Sequence, residues 1–363
     1  QGLAREILEK EVTPERRNEI ARDPDGFDRA VWGELAKANL LGAALPESVG
    51  GSDCGFLGLC LLLQEVGRAL APIPALPTLA VGASAIAEFG SDAQKRRLLP
   101  GVASGDTILS AALLEPGADG SAELQTRVRP DGGGFRLDGL KTCVPAAHLA
   151  ECILVPARAD DGATSVFLLD PRTDGVTLER QETTNGEPQF RLRLDGASAS
   201  EALGDARPGA ALRDWMTERA TTAVCAIQLG VSERALEITA DYTRERRQFD
   251  RPIGSFQAVH QRAADAFIQL EAMRLTTWQA AWQLEQHASA RDAVAVAKFW
   301  AAEGGQFVGY AAQHLHGGIG VDIEYPIARY YLWAKQLELS LGSASRQLAR
   351  LGERIADGSA SVG

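Results

Sequence analysis

The last third of the sequence contains a stretch that tightly limits the possible folds. Residues Asp214 to Phe249 include no proline and a single glycine, Gly230. Because proline and glycine are the strongest helix breakers, this stretch predicts one very long α-helix. Three more helical stretches follow after short connections: Phe256 to Gln286, Arg291 to Leu315 and Pro326 to Ala356. Four long helices joined by short loops predict a helical bundle.

The residues before this bundle divide into two segments of different character. Residues 1–105 carry apolar side chains at helical spacing and predict a helical domain. Residues 106–207 contain short apolar or alternating runs, such as Ser165 to Leu169, which are separated by Gly and Asp turns and predict a β-domain. With the bundle assigned to 208–363, the predicted fold class is mainly α with a central β-barrel or sandwich.

Composition excludes several classes of function. The net charge of −11 leaves no basic footprint, so we expect no nucleic-acid partner. The uncharged stretch Ala69 to Ala87 is broken by prolines, and no segment predicts a membrane span. The five cysteines show no CxxC spacing, which favours reduced, buried thiols in a cytoplasm. Five scattered histidines give no metal-binding motif.

Short motifs along the whole chain resemble the signatures of the acyl-CoA dehydrogenase family. The strings are Leu45 to Gly51, Phe89 to Gly105, Glu115 to Ser121, Tyr242 to Gln257 and Gly317 to Pro326. The resemblance implies that family's fold of N-terminal helices, middle β-domain and C-terminal four-helix bundle. It also implies a reaction in which a carboxylate removes the α-proton of a CoA thioester and the β-hydrogen passes as hydride to the flavin of FAD.

The catalytic base implied by this resemblance is missing. Counted without a gap from the last motif, the family's glutamate falls on Leu341. The base position of some relatives, on the first long bundle helix, falls on Ala220. Neither side chain can accept a proton. Glu218 is rotated about 200° from Ala220 on a helix, and Glu338 lies one predicted turn before Leu341. These two carboxylates are the alternative bases.

The positions that would contact the flavin ring are also altered. The resemblance places a Trp-Ile-Thr string on the ring, but here Cys143 replaces the indole and Pro145 replaces the threonine. Leu114 stands where a threonine would bond the pyrimidine ring, and Asp119 is inserted or shifted in a glycine turn. Four such changes predict that this chain does not itself hold a reactive flavin ring.

A second set of cofactor residues is retained. In the family these residues reach across to the FAD of a neighbouring subunit, where an arginine can pair with the pyrophosphate and paired glycines let the backbone approach. The retained residues are Arg246, Arg247, Gln248, Phe249, Gln257, Gln313, Gly317 and Gly318.

This asymmetry predicts a heteromer. The chain is similar to the degenerate subunit of actinobacterial heterotetrameric acyl-CoA dehydrogenases that act on CoA thioesters of steroid side chains. That resemblance implies a homologous companion that carries the Glu base, an FAD shared with it, and electron-transfer flavoprotein as acceptor. Two alternatives stay open: a self-sufficient flavoenzyme that uses Glu338 or Glu218, and a non-catalytic scaffold that binds neither FAD nor CoA.

Overall fold

The computed structural model describes residues 1–117, 123–204 and 209–360. Its first part is helical, and a π-helical segment, Leu76–Ala83, leads directly into one of the helices. Asp28 begins the third helix by accepting hydrogen bonds from the amides of Ala30 and Val31, as expected of an N-cap. The helices are α1 (Gly2–Glu11), α2 (Pro14–Ile20), α3 (Arg29–Lys37), α4 (Gly55–Ala69), α5 (Ser84–Phe89) and α6 (Asp92–Ser104).

The middle part forms a largely antiparallel sheet with its own apolar core. Its strands follow the order β6-β7-β3-β2-β4-β5-β8, and β1 pairs in parallel with β4. Alternate side chains of β7 point into this core, as expected of a sheet with one buried face. The strands are β1 (Leu109–Ala111), β2 (Arg127–Asp131), β3 (Gly134–Pro145), β4 (Cys152–Arg158), β5 (Thr164–Leu169), β6 (Val176–Gln181), β7 (Gln189–Ala199) and β8 (Glu201–Ala202).

The C-terminal part contains the long helices that the sequence predicts. A short hairpin of β9 (Arg247–Gln248) and β10 (Arg251–Pro252) joins the first two of them. The helices are α7 (Gly209–Glu245), α8 (Gln257–Glu285), α9 (Arg291–His316), α10 (Pro326–Leu339) and α11 (Ala344–Ala356).

The prediction of one continuous helix from Pro326 to Ala356 is wrong. The chain breaks between α10 and α11, where Leu341 has φ 58° and Gly342 has φ 104°. Both angles lie in the left-handed region, which interrupts a right-handed helix. Leu341 therefore lies in a turn and not on the face of a helix.

The N-terminal helices and the bundle share one continuous apolar core. The contact between α4 and α7 explains the single glycine of the long helix. A Cβ added at Gly230 would lie 1.9 Å from the carbonyl oxygen of Gln64, and one at Gly67 would lie 2.1 Å from that of Ile227. The two helices therefore approach closely enough to require glycine on both sides.

The predicted domain boundaries, after residues 105 and 207, stay predictions, and the second lies outside the described residues. All five cysteines are free. The expectation that they are all buried is wrong for Cys54, which precedes α4, and for Cys143, which has φ 52°; both are exposed. At residue 143 the left-handed backbone at an irregularity of β3 turns the side chain away from the core.

Candidate functional site

A cavity of about 320 Å³ lies where the N-terminal helices, the sheet and the bundle meet. It collects the positions that the sequence marks as altered: Leu341 and Ala220, and also Leu114, Cys143 and Pro145. The other lining residues are Leu76, Pro77, Val81, Ala111, Leu113, Gln181, Glu182, Thr183, Gln189, Val224, Gln336, Leu339 and Ser340. Most of the wall is therefore aliphatic.

Leu341 reaches the cavity from the turn after α10, and a buried lysine fixes that turn. Lys298 is fully buried on α9 and donates hydrogen bonds of 2.9 Å to the carbonyl oxygens of Leu337 and Glu338. A cation at this place complements the unpaired carbonyls and the dipole at the end of α10. Burial lowers the pKa of Lys298 to about 8. The lysine thus ends the helix just before the turn that carries Leu341.

Neither alternative carboxylate lines the cavity. Glu338 accepts hydrogen bonds from Lys335 at 2.6 Å and from Gln306 at 3.2 Å, so it faces α9. Glu218 pairs with Arg291 at 3.2 Å in a surface groove on the other side of α7, as its rotation from Ala220 predicts. Burial raises the pKa of Glu218, although Arg291 opposes the shift.

One carboxylate at the cavity carries no signal in the sequence. Glu182 follows β6 and is exposed. It lies in the loop between β6 and β7, and no motif marks it. The loop reaches the bundle through Thr184, which donates to the side-chain oxygen of Gln336. Only the tertiary structure brings this loop to the cavity.

The polar groups beside the altered ring positions are paired within this chain. The hydroxyl of Thr142 and the amide of Cys143 both donate to the side-chain oxygen of Gln181, at 3.2 Å and 2.8 Å. Pro145 has no N–H to offer, and its carbonyl oxygen accepts a hydrogen bond from Ser110. Few donors of this strand are therefore left for a bound ring.

A buried ion pair supports the strand from behind. Lys141 lies 2.8 Å from Glu115, and both are almost fully buried. Glu115 also accepts hydrogen bonds from the amides of Gln125 and Thr126 and from the hydroxyl of Thr126. Burial favours the neutral acid, but Lys141 and these donors hold the pKa of Glu115 below its usual value. Asp119, which belongs to the same motif, lies outside the described residues.

The retained cofactor residues meet at one end of the bundle, where α7 and α9 end and α8 begins. Arg246 is exposed, and it pairs with no carboxylate in the described part of the chain. Phe249 is 85% exposed. A Cβ at Gly317 or Gly318 would meet nothing within 4 Å, so the glycine backbone is open to an approaching group. We call these eight retained residues the bundle-end cluster: Arg246, Arg247, Gln248, Phe249, Gln257, Gln313, Gly317 and Gly318.

An aromatic stack joins the two segments of the bundle-end cluster. The rings of Tyr242 and His316 lie 4.3 Å apart and nearly parallel. The Tyr242 hydroxyl also donates to the carbonyl oxygen of His316, at 3.4 Å. Burial lowers the pKa of His316, which keeps the imidazole neutral. The stack holds the Arg246 hairpin and the Gly317 turn in a fixed relation.

The cavity and the bundle-end cluster are far apart. Ala220 and Glu245 belong to the same helix, α7, and are separated by 25 residues. At 1.5 Å per residue the distance along the helix axis is about 37 Å. The altered positions therefore lie together at the cavity, and the retained positions lie together in the bundle-end cluster. The two sites are far from each other.

Three family profiles cover nearly the whole chain. They are described as acyl-CoA dehydrogenase N-terminal, middle and C-terminal domains and match residues 1–106, 110–196 and 209–356. The chain belongs to the acyl-CoA dehydrogenase family. The resemblance inferred from the motifs and the predicted fold are both confirmed.

Several acyl-CoA dehydrogenases are similar over almost their full length. Acyl-CoA dehydrogenase FadE27 of Mycobacterium tuberculosis is 40% identical over 98% of this chain and 96% of its own. The solved structure of the Tcur3481-Tcur3483 steroid ACAD variant is 46% identical, with a TM-score of 0.92, over 99% of this chain and 97% of that one. The ChsE4-ChsE5 complex from Mycobacterium tuberculosis is 40% identical, with the same TM-score of 0.92, over 98% and 96%.

The two groups of residues differ in their fit to the FAD of this family. The cavity fits the flavin ring poorly, because Pro145 offers no N–H and Gln181 already binds the donors of Thr142 and Cys143. The bundle-end cluster fits the pyrophosphate end, because the guanidinium of Arg246 is exposed and Gly317 is open to solvent.

The described part of the chain shows neither a membrane-spanning helix nor a metal-binding group of side chains. Among the described residues, no helix combines the length and apolar character that a membrane crossing requires. Within the same parts of the chain, no group of three or more His, Cys, Asp or Glu side chains is placed to hold a metal ion.

Proposed function

We propose that this chain is the subunit of a heteromeric, flavin-dependent acyl-CoA dehydrogenase that does not donate the base. The observation that carries the proposal is that Leu341 and Ala220 line one cavity. The resemblance places the catalytic carboxylate at one or the other of these two positions, and neither residue can accept a proton. Removal of an α-proton needs a base within hydrogen-bond reach. Glu338 and Glu218 face elsewhere. Glu182 lies at the cavity but is exposed on a loop, away from both positions at which the resemblance places a base. The base therefore comes from a homologous companion subunit.

The contribution of this chain lies at the bundle end. Bound FAD supplies the hydride acceptor of the reaction. Arg246 contributes a positive charge to the pyrophosphate, and Gly317 and Gly318 admit the cofactor close to the backbone. Arg247, Gln248, Phe249, Gln257 and Gln313 complete the contact surface. The distance of about 37 Å from the cavity supports a cofactor held mainly by the companion.

The substrate class follows from similarity to named relatives. The 46% identity to a protein described as a steroid ACAD supports α,β-desaturation of a CoA thioester with a steroid side chain. Electron-transfer flavoprotein is the proposed electron acceptor. The five free thiols support a reducing, cytoplasmic location. We propose domains at 1–105, 106–207 and 208–363.

Replacement of Arg246 tests the shared FAD site. In the assembled complex, Arg246→Ala removes one charge-assisted contact worth roughly 1.5–3 kcal/mol, which weakens FAD binding by roughly ten- to a hundredfold. FAD occupancy is measured from flavin absorbance after gel filtration at limiting FAD. Arg244→Ala is the matched control, because Arg244 is exposed two residues earlier and pairs with Asp241. Equal occupancy in both variants would show that Arg246 is only a surface charge.

The competing functions give different results. A self-sufficient flavoenzyme would purify with one FAD per chain and would lose activity with Glu338→Gln or Glu218→Gln. If the chain is a scaffold, adding it to the companion leaves the companion's FAD occupancy and activity unchanged. The proposed subunit raises both.

A further inference from the structure

The cavity keeps the size of a ligand site although the groups for the reaction are absent. Its volume is about 320 Å³. An apolar cavity of about 150 Å³ in another protein is large enough to bind benzene. This space therefore accommodates two or three fused rings, or a segment of an acyl chain.

The wall selects for neutral, apolar molecules. Leu76, Val81, Val224 and Leu341 cover it from the π-helical segment, from α7 and from the turn after α10. No lysine or arginine occurs among the described residues that line it. An anion that entered would lose its hydration without gaining a cation. The exposed carboxylate of Glu182 on the lining loop further disfavours negative charge.

Among the described residues that line the cavity, six carry polar side chains, and several of these already have hydrogen-bond partners. The hydroxyl of Ser340 donates to the carbonyl oxygen of Gln336 at 2.8 Å. The side-chain oxygen of Gln336 accepts from Thr184, and that of Gln181 accepts from Cys143. A ligand with many hydrogen-bonding groups would find few partners here. A mainly hydrocarbon ligand loses nothing on entry and gains apolar contact.

Unusual backbone geometry occurs at three places in the cavity wall. Leu76–Ala83 is π-helical, a form that occurs frequently at functional sites. Cys143 and Leu341 both have left-handed φ angles, 52° and 58°, and such strained conformations cluster at ligand sites. Lys298 anchors the turn of Leu341, and Gln181 anchors the amide of Cys143. The walls are thus held apart by specific contacts.

From these observations we infer that the cavity binds a neutral, largely apolar small molecule without redox chemistry. The inference rests on the proposed function, because it requires that no flavin ring occupies the cavity. The ligand is held by apolar contact between the π-helical segment, α7 and the turn after α10. Its binding stabilises the folded chain, since only the folded state forms the site.

A matched pair of fluorescent probes tests the inference. N-phenyl-1-naphthylamine is neutral, and anilinonaphthalene sulfonate has the same ring system with an added sulfonate. Each is titrated, with direct excitation of the probe, into the full chain in the assembly in which it purifies. Leu341→Trp and Leu114→Trp fill the cavity from two half-buried positions. Leu3→Trp is the control, because Leu3 is 52% exposed on α1.

The inference predicts saturable binding of the neutral probe and at least tenfold weaker binding of the sulfonate. Both cavity variants lower the affinity for the neutral probe at least tenfold, while Leu3→Trp leaves it unchanged. Neutral-probe binding that both cavity variants leave intact overturns the site, and equal binding of the sulfonate there overturns the ligand class. Flavin absorbance separates this result from the proposed function. One FAD per isolated chain that is lost in Leu341→Trp would overturn both the ligand site and the proposed function. Absence of probe binding in a chain that purifies without flavin would overturn only the ligand site.

Discussion

Lys298→Met tests how the wall of the cavity is held. The substitution keeps much of the side-chain volume but removes the two 2.9 Å hydrogen bonds to the last turn of α10. Each such bond from a charged donor is worth roughly 1.5–3 kcal/mol. The variant also avoids burying a charge, and the shift of the Lys298 pKa from 10.5 to about 8 by burial corresponds to about 3 kcal/mol. The mean loss of the two bonds exceeds this gain, so we expect roughly 1 kcal/mol of destabilisation at neutral pH.

The pH dependence gives a sharper test of the same reasoning. Between about pH 8 and pH 10.5 the unfolded chain binds more protons than the folded chain, because burial lowers the pKa of Lys298 only in the folded state. Wild-type stability therefore rises with pH in this window relative to Lys298→Met, by up to about 3 kcal/mol. Denaturant unfolding of both proteins at each pH cancels the contribution of other groups. If the difference in unfolding free energy between wild type and Lys298→Met stays constant or narrows as the pH rises, the penalty assigned to the buried ammonium is refuted.

Three further substitutions have defined outcomes. Leu341→Glu leaves the isolated chain inactive in acyl-CoA-dependent reduction of an electron acceptor, and clear turnover would show an intact flavin site. The same variant lowers the melting temperature, because it places a carboxylate in an apolar cavity. Lys141→Met leaves Glu115 buried without its cation and lowers the free energy of unfolding in urea by about 3–5 kcal/mol. Gly230→Ala forces α4 and α7 apart and costs more than about 1 kcal/mol in the same assay, whereas Gly352→Ala, where a Cβ meets nothing within 4 Å, is neutral or stabilising.

The long helices and the order of the three parts are predictable from local patterns. Proline and glycine are almost absent from the stretches that form α7 and α8, and short alternating runs mark the strands. The break at Leu341 is not predictable in this way, because leucine has no preference for a left-handed angle. The end of α10 just before the break is capped by Lys298, which is about 40 residues away in sequence.

Motif alignment also located much of the candidate site, since it identified Leu341, Ala220 and the altered ring positions that line one cavity. It did not locate Gln181 or Glu182. Their places depend on how β6 pairs with β7 and on how the following loop contacts Gln336. Such contacts between distant segments leave no periodic or motif signal. The expectation that Glu338 lies one helical turn before Leu341 was wrong, because it assumed a continuous helix.

The most direct test of the proposed subunit role is the FAD content of this chain, purified alone and then co-purified with its homologous companion. Flavin released by denaturation is measured against protein concentration, and dehydrogenase activity on a steroid-side-chain CoA thioester is measured on the same samples. The proposed role predicts an isolated chain without stoichiometric FAD or activity. It also predicts a complex with one FAD for each pair of chains, whose occupancy falls with Arg246→Ala. One tight FAD in each isolated chain, together with turnover of any acyl-CoA, would contradict it.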